Sequence, residues 1–282
     1  MRSGKRFRLV QYLFGILVAF CTLAPFLWLF ISSISYQVDL TAVPLRWIPS
    51  HVTFQRYIDI FVNSDNDMAY TFRLSMGNSL IVALCTTLLA LIIGGLAAHS
   101  FARYRFRFKQ KMLYLFLFSY MIPSVVIVIP LFSMLNKFGM MDSRWTLILL
   151  DLTFVIPYVI WVMQSYLKFL SNDFYEAAYM DGCSRFQTIR LIIFPIIRPG
   201  VLSTCIFAFL LAWDEFFFAL LFTSSLDAKT VPVAIAEFSG KNGVDYGMIA
   251  TGGVLACLPP ILISFIFQKH IVTGMTAGGV KE

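Results

Sequence analysis

Two adjacent carboxylates, Asp214 and Glu215, interrupt an otherwise apolar run over residues 201–222. An acid near the centre of a membrane span costs roughly 2.5–3.5 kcal/mol on insertion scales, so it tends to face a polar cavity, a partner or water. The pair therefore has two readings. It lines a translocation path or holds a proton, or it makes an interhelical hydrogen bond at a hydrated interface. Asp151 lies nearer the outer end of another apolar run, where hydration is expected. A second polar group falls in residues 171–200, SNDFYEAAYMDGCSRFQTIRLIIFPIIRPG, with three acids, three arginines, two glycines and two prolines. This stretch is too polar to span a bilayer and too patterned for a slack linker. Its residue types suit docking of another protein rather than bond-making.

Bond-making sets are missing. No G-x-x-x-x-G-K-[ST] occurs, and the nearest fragment, SGKN, lacks the first Gly and the Ser/Thr, so a P-loop cradle for ATP is excluded. There is no H-E-x-x-H. His51, His99 and His270 fall in separate connecting segments, and the five cysteines show no CxxC or Cys/His spacing. No metal and no structural disulfide are expected. Uphill movement of a solute would need a partner's energy or an ion gradient.

The elements that must position these groups are membrane helices. The chain has 282 residues, 59% hydrophobic and 13% charged, with 29 Phe and a mean hydropathy of +0.79. A soluble domain carries about 25% charged residues. Apolar runs of about 20 residues indicate helical spans, because the backbone must satisfy itself in hydrocarbon. Six are expected: residues 9–31, 77–98, 112–131, 145–167, 201–222 and 247–267. The first is too long for a signal peptide and has no A-x-A site. Gly94, Gly95, Ala97 and Ala98 suit close helix packing. The loop over residues 32–75 is expected to carry a short helix near residues 54–62.

Six spans put both termini on one side. That side, with the basic loop over residues 103–111 and the 171–200 stretch, carries 15 of the 22 Lys and Arg, although the longest loop is opposite. The termini and the 171–200 stretch are therefore assigned to the cytoplasm. The same argument places Arg103, Arg105, Arg107, Lys109 and Lys111 at lipid headgroups rather than on nucleic acid.

Within residues 171–200, Asp173 and Glu176 are spaced as a capping box opening a helix over residues 174–180. Ala177 and Ala178 leave a flank without bulk. Gly182 permits a left-handed stop. Ser184 and Gln187 form a second box, opening a helix with Phe186, Ile189 and Ile193 on one face and Arg185 on another. Pro195 and Pro199 are expected to end it before the fifth span. The pair could also be interfacial helices packed only on their own bundle.

The run Glu176-Ala177-Ala178-x-x-Asp181-Gly182, followed by Ile192-x-x-Pro195, resembles the EAA motif of binding-protein-dependent ABC importer permeases. The segment WDEFFFALLFT, beginning at Trp213, and the tail GMTAGGVKE resemble the carbohydrate-uptake subfamily, in its smaller, maltose-permease-like subunit. The resemblance covers nearly the whole chain. It implies an all-α, six-transmembrane-helix bundle of the type I ABC importer permease kind, one permease domain over residues 1–282. It implies a non-enzymatic transport subunit in a bacterial cytoplasmic membrane. The implied partners are a second permease subunit in a heterodimer, two ATPase subunits carrying ATP and Mg, and an extracytoplasmic solute-binding protein. This chain itself would bind no cofactor. Glu176, Ala177, Ala178, Asp181, Gly182 and Ser184 would form the ATPase-coupling surface, residues 274–280 would also touch the ATPase dimer, and Trp213, Asp214 and Glu215 would line the path. Two departures stand out: Asp214 where the family often has Asn, and Cys183 where Ala is common. The rival reading is an ion-coupled secondary transporter using Asp214 and Glu215.

Overall fold

The computed structural model describes residues 3–63, 66–240 and 243–277, and these are helical almost throughout. The elements are α1 (Ser3–Ser33), α2 (Gln37–Leu40), α3 (Gln55–Phe61), α4 (Asp67–Arg103), α5 (Lys109–Met121), α6 (Ser124–Lys137), α7 (Arg144–Lys168), α8 (Asp173–Met180) and α9 (Arg185–Gln187). A π-helical turn (Thr188–Ile193), α10 (Phe194–Trp213), α11 (Phe217–Phe222), α12 (Val231–Glu237), strands β1 (Ser239–Gly240) and β2 (Gly243–Val244), and α13 (Tyr246–Ala277) complete the order. The strands pair antiparallel, Ser239 opposite Val244.

Among the described residues, five helices are long and apolar enough to cross a membrane: Val10–Ser33, Asp67–Arg103, Arg144–Lys168, Arg185–Trp213 and Tyr246–Gln268. A sixth candidate is α5 with α6, bent by 88° at its break. The cause is local. Pro123 disfavours helical backbone at the preceding residue, and Ile122 is extended, with ψ 122°.

Cα packing divides the chain into two units, and α4 and α13 enter both. The first comprises residues 1–73 and 234–258. Its polar contacts centre on Arg56. The guanidinium donates to the carbonyls of Ser33 and Ser35, the latter at 2.7 Å, and lies 3.7 Å from the Asp245 carboxylate. It thereby ties the exit of α1 to the entry of α13. Asp39 is caged by Ser50, whose N–H and hydroxyl donate to it, and by Arg46 at 3.0 Å. The Ser50 hydroxyl first, then its N–H and Arg46, hold the Asp39 carboxyl below its ordinary range against the effect of burial.

Gly247 is required by this arrangement. A Cβ there would lie 2.0–2.4 Å from the Arg56 guanidinium atoms, so the guanidinium must shift from its present bonds. Gly247→Ala and Arg56→Ala are therefore expected to destabilise the protein by similar amounts, about 1–3 kcal/mol, with the double variant little worse than either single. Thermal inactivation of the purified protein measures all three. Full additivity would show that the two residues act separately.

The second unit comprises residues 74–233 and 259–282. Helix α7 is its centre. Leu147, Ile148, Val155, Val159, Met163 and Leu167 are buried along it. Small residues let neighbouring helices approach, as their sequence positions suggested for α4. At Gly94 a Cβ would fall 2.8 Å from Val159 Cγ1, and at Gly200 one would fall 2.7 Å from the Tyr166 ring. Gly95, by contrast, has nothing within 4 Å of a Cβ. Outside the spans, Asp142 accepts the N–H groups of Ser224 and Ser225 at 2.8 and 2.9 Å. Burial alone would raise the Asp142 carboxyl, but these donors hold it below its ordinary range.

Two local expectations are corrected. Asp151 does not sit at the surface: it is 1% exposed, and its Oδ1 finds no hydrogen-bond partner among the described residues. Position along an apolar run says how deep a residue sits, not whether neighbouring helices cover it, and α7 is covered on several sides. Pro195 and Pro199 do not end a helix before the fifth span. Helix continues unbroken from Arg185 to Trp213. The π-helical turn lies just before Pro195 within this continuous helix, so the α-helical hydrogen-bond ladder is already interrupted where the proline lacks its N–H.

Candidate functional site

Helix α8 and the turn after it are largely exposed in the second unit. Its backbone stop is set at Gly182. Gly182 has φ +78°, the Gly182 N–H donates to the Tyr179 carbonyl at 3.1 Å, and the Cys183 N–H donates to the Ala178 carbonyl at 2.9 Å. This is the glycine-capped Schellman arrangement, which uses carbonyls that a helix end otherwise leaves free. No atom lies within 4 Å of a Cβ built at Gly182, so the need for glycine is conformational, not steric. Immediately afterwards the Ser184 box is complete. The Gln187 N–H donates to Ser184 Oγ, and the Ser184 N–H donates to Gln187 Oε1 at 2.8 Å.

The first box does not form. Asn172, not Asp173, occupies the cap position, its backbone is already helical (φ −64°, ψ −25°), and its side chain makes no cap bond. A side chain reaches the third N–H of a helix only from an extended cap residue. Glu176 therefore makes no capping-box bond, and its carboxylate acts on α8 only as an acid in the first turn.

The exposed face of this segment presents Glu176, Ala177, Tyr179, Met180, Asp181, Gly182 and Ser184, with Met180 at 88% exposure. Ala178 turns inward and is 1% exposed, so only Ala177 offers the bare flank. Phe186, Ile189 and Ile193 do share one face. They line an apolar cavity of about 490 Å³ together with Leu91, Gly95 and Leu96 of α4.

What holds α8 in place was not legible in the sequence. Tyr175 and Ala178 are its buried residues. The Arg103 guanidinium, at the last residue of α4, lies 3.8 Å from the Tyr175 ring centroid. The same group donates to the Leu170 carbonyl at 3.0 Å and to Asn172 Oδ1. Burial pushes the Tyr175 hydroxyl above its ordinary range, although Arg103 opposes the shift. Arg103 reads in sequence as one of five headgroup cations, and no local signal joins it to residues some 70 positions later.

The two membrane acids separate. Glu215 lies in the break between α10 and α11 and caps α11: its carboxylate accepts the N–H of Phe218 at 2.7 Å and of Ala219 at 3.0 Å. Asp214 closes α10 and is exposed. Trp213 is buried and stacks on Phe209, with centroids 5.6 Å apart. Glu215 is therefore hydrogen-bonded, to backbone groups of the next helix of its own chain. The tail surface expected over residues 274–280 falls outside the described residues from 278 onward. Among the described residues no group of three or more His, Cys, Asp or Glu could hold a metal ion.

Known proteins share this chain's features over its length. Residues 90–277 match the family described as binding-protein-dependent transport system inner membrane component. The trehalose/maltose transport system permease protein MalG of Thermococcus litoralis is 32% identical over 282 residues, covering 100% of this chain and 99% of that one. The trehalose transport system permease protein SugB of Mycobacterium tuberculosis is 35% identical, covering 94% of each. Among solved structures, a bacterial ABC transporter involved in the import of the acidic polysaccharide alginate superimposes with a TM-score of 0.75 at 19% identity, covering 95% of this chain and 98% of that one. The match spans two thirds of the sequence and includes α8, its glycine stop and both membrane acids, and on that ground the chain belongs to the family of binding-protein-dependent transport system inner membrane components.

Proposed function

We propose that this chain is the maltose-permease-like subunit of an ATP-driven sugar importer, and that α8 with Gly182 is its coupling helix. The observation that carries the reading is an exposed short helix with a glycine-fixed stop, on a transport chain that has no P-loop of its own. Glu176, Ala177, Asp181 and Ser184 offer the docking face, with Ala178 supporting it from within. ATP and Mg belong to two separate ATPase subunits. A second permease subunit completes the membrane channel, and an extracytoplasmic binding protein delivers the solute. Basic residues concentrate on the side of α8 and the termini, which supports a cytoplasmic position for both in a bacterial inner membrane. The relatives' names point to disaccharides such as trehalose and maltose or to similarly sized glycosides. An ion-coupled carrier working through Glu215 is not favoured, because that carboxylate is occupied in capping α11.

Tagged chain purified from membranes should bring with it a P-loop ATPase. Vesicles holding the assembly should accumulate radiolabelled trehalose or maltose when ATP is supplied on the ATPase side and binding protein on the other, and a protonophore should leave uptake unchanged while ATP is maintained. Collapse of uptake by the protonophore with ATP present, or a purified chain without an ATPase, would overturn the reading.

A further inference from the structure

We propose that Arg103 is a positioning residue for coupling: it locks α8 to the end of α4 so that the two move as one body. The proposal rests on the coupling reading of α8, and the experiment below separates the two. Helix α8 is attached to α7 by a short link and buries only Tyr175 and Ala178. Its cap residue contributes no side-chain bond to the helix itself. Its other packing is on the π-helical turn Thr188–Ile193, and with those contacts alone a helix pushed by a partner would shift relative to α4. One guanidinium prevents this by meeting three places at once. It stacks on the Tyr175 ring, in the first turn of α8. It donates to Asn172, at the cap of α8. It donates to the Leu170 carbonyl, where the chain leaves α7. Planarity is what lets one side chain do this, since a stacked guanidinium keeps its edge N–H groups free to donate sideways.

The surroundings favour a fixed position rather than a headgroup role. Tyr175 is 8% exposed, and the His99 ring is a further neighbour at 5.8 Å. His99 in turn lies edge-on to Tyr104, over which Arg185 sits at 5.9 Å. An aromatic and basic cluster therefore runs from α4 to both helices flanking Gly182. Lysine could stack but offers a single ammonium, so it cannot hold the ring, Asn172 and Leu170 together.

The test uses the complete complex in lipid nanodiscs, with native cysteines replaced by serine and spin labels at Met180→Cys on α8 and Ser100→Cys on α4. The unmodified pair should give one narrow distance distribution, the same without nucleotide and with ATP. Arg103→Gln and Tyr175→Leu should broaden it, and Arg103→Lys should restore it only in part. Tyr175→Phe should leave it narrow, because the hydroxyl has no hydrogen-bond partner among the described residues. Arg105→Gln removes a charge from the same loop and should also leave it narrow. In parallel, sugar transported per ATP hydrolysed should fall about tenfold in Arg103→Gln and Tyr175→Leu, a factor equal to about 1.4 kcal/mol. Narrow distributions and normal coupling in both variants would overturn the proposal, as would equal effects of Arg103→Gln and Arg105→Gln. If Arg103→Gln fails to assemble, Tyr175→Leu and Arg103→Lys give the same reading. A Gly182→Pro complex that couples normally would instead overturn the role of α8 itself.

Discussion

Gly182→Pro is expected to reduce sugar uptake more than about tenfold while leaving the amount of assembled chain in the membrane within about twofold. The residue stands at φ +78° and donates to the Tyr179 carbonyl. Proline can do neither, because its ring holds φ near −65° and it has no N–H. The end of α8 must then re-form, and Met180 and Asp181 change direction. Because no atom crowds the position, a graded series isolates the conformational cause. Gly182→Asn should be mildest, since Asn tolerates the left-handed region. Gly182→Ala should be intermediate, at about 1–2 kcal/mol. Gly182→Val and Gly182→Pro should be worst. Uptake assays with membrane amounts measured by immunoblot read the series. A flat series, or one ordered by side-chain volume alone, would refute the argument. Glu176→Lys is its companion. Since the box with Asp173 does not form, the charge reversal should cost α8 only the first-turn charge effect, about 0.3–1 kcal/mol, and act chiefly on the proposed docking face.

Glu215→Ala is expected to be equally damaging for a different reason. The carboxylate satisfies two backbone N–H groups in a break between apolar helices. Leaving a buried donor unpaired costs about 1–3 kcal/mol, and here there are two. The variant should reach the membrane poorly or lose uptake to below about a tenth, in line with that cost. Glu215→Gln keeps one amide oxygen as an acceptor and should retain uptake within about fivefold, as expected for the loss of one hydrogen bond. Asp214→Asn should be close to silent, because Asp214 is exposed and an amide is similar in shape. The contrast between Gln and Ala at position 215 separates capping from proton coupling. A proton carrier would lose all uptake with Gln, even when assembly is normal. Measuring uptake and assembly in both variants decides between them.

The coarse architecture follows from residues read one at a time. Runs such as residues 145–167 are apolar enough that only a membrane helix satisfies their backbone, and α7 spans Arg144–Lys168. The glycine stop at Gly182 and the Ser184–Gln187 box are also local, since each depends on residues within one or two turns. Local reading went wrong where a competing backbone state was available. Asp173 fell one position inside α8, and a π-helical turn carried helix past Pro195 and Pro199.

Which faces are covered belongs to the tertiary structure. Asp151 has the sequence setting of a hydrated acid, yet neighbouring helices bury it. Ala177 and Ala178 are adjacent in the motif, yet about 100° of helical rotation separates them, so one faces solvent and the other the core. Arg103 is the clearest case. In the sequence it is one basic residue among five in a loop, and charge alone places it at the membrane surface. Only folding brings its guanidinium onto Tyr175 and between Leu170 and Asn172. That this chain crosses a membrane and presents a short capped helix follows from its residues alone, because hydrophobicity and capping act over a few residues. Tertiary structure decided what anchors that helix and where the acids point, because stacking and burial depend on residues that the chain keeps far apart.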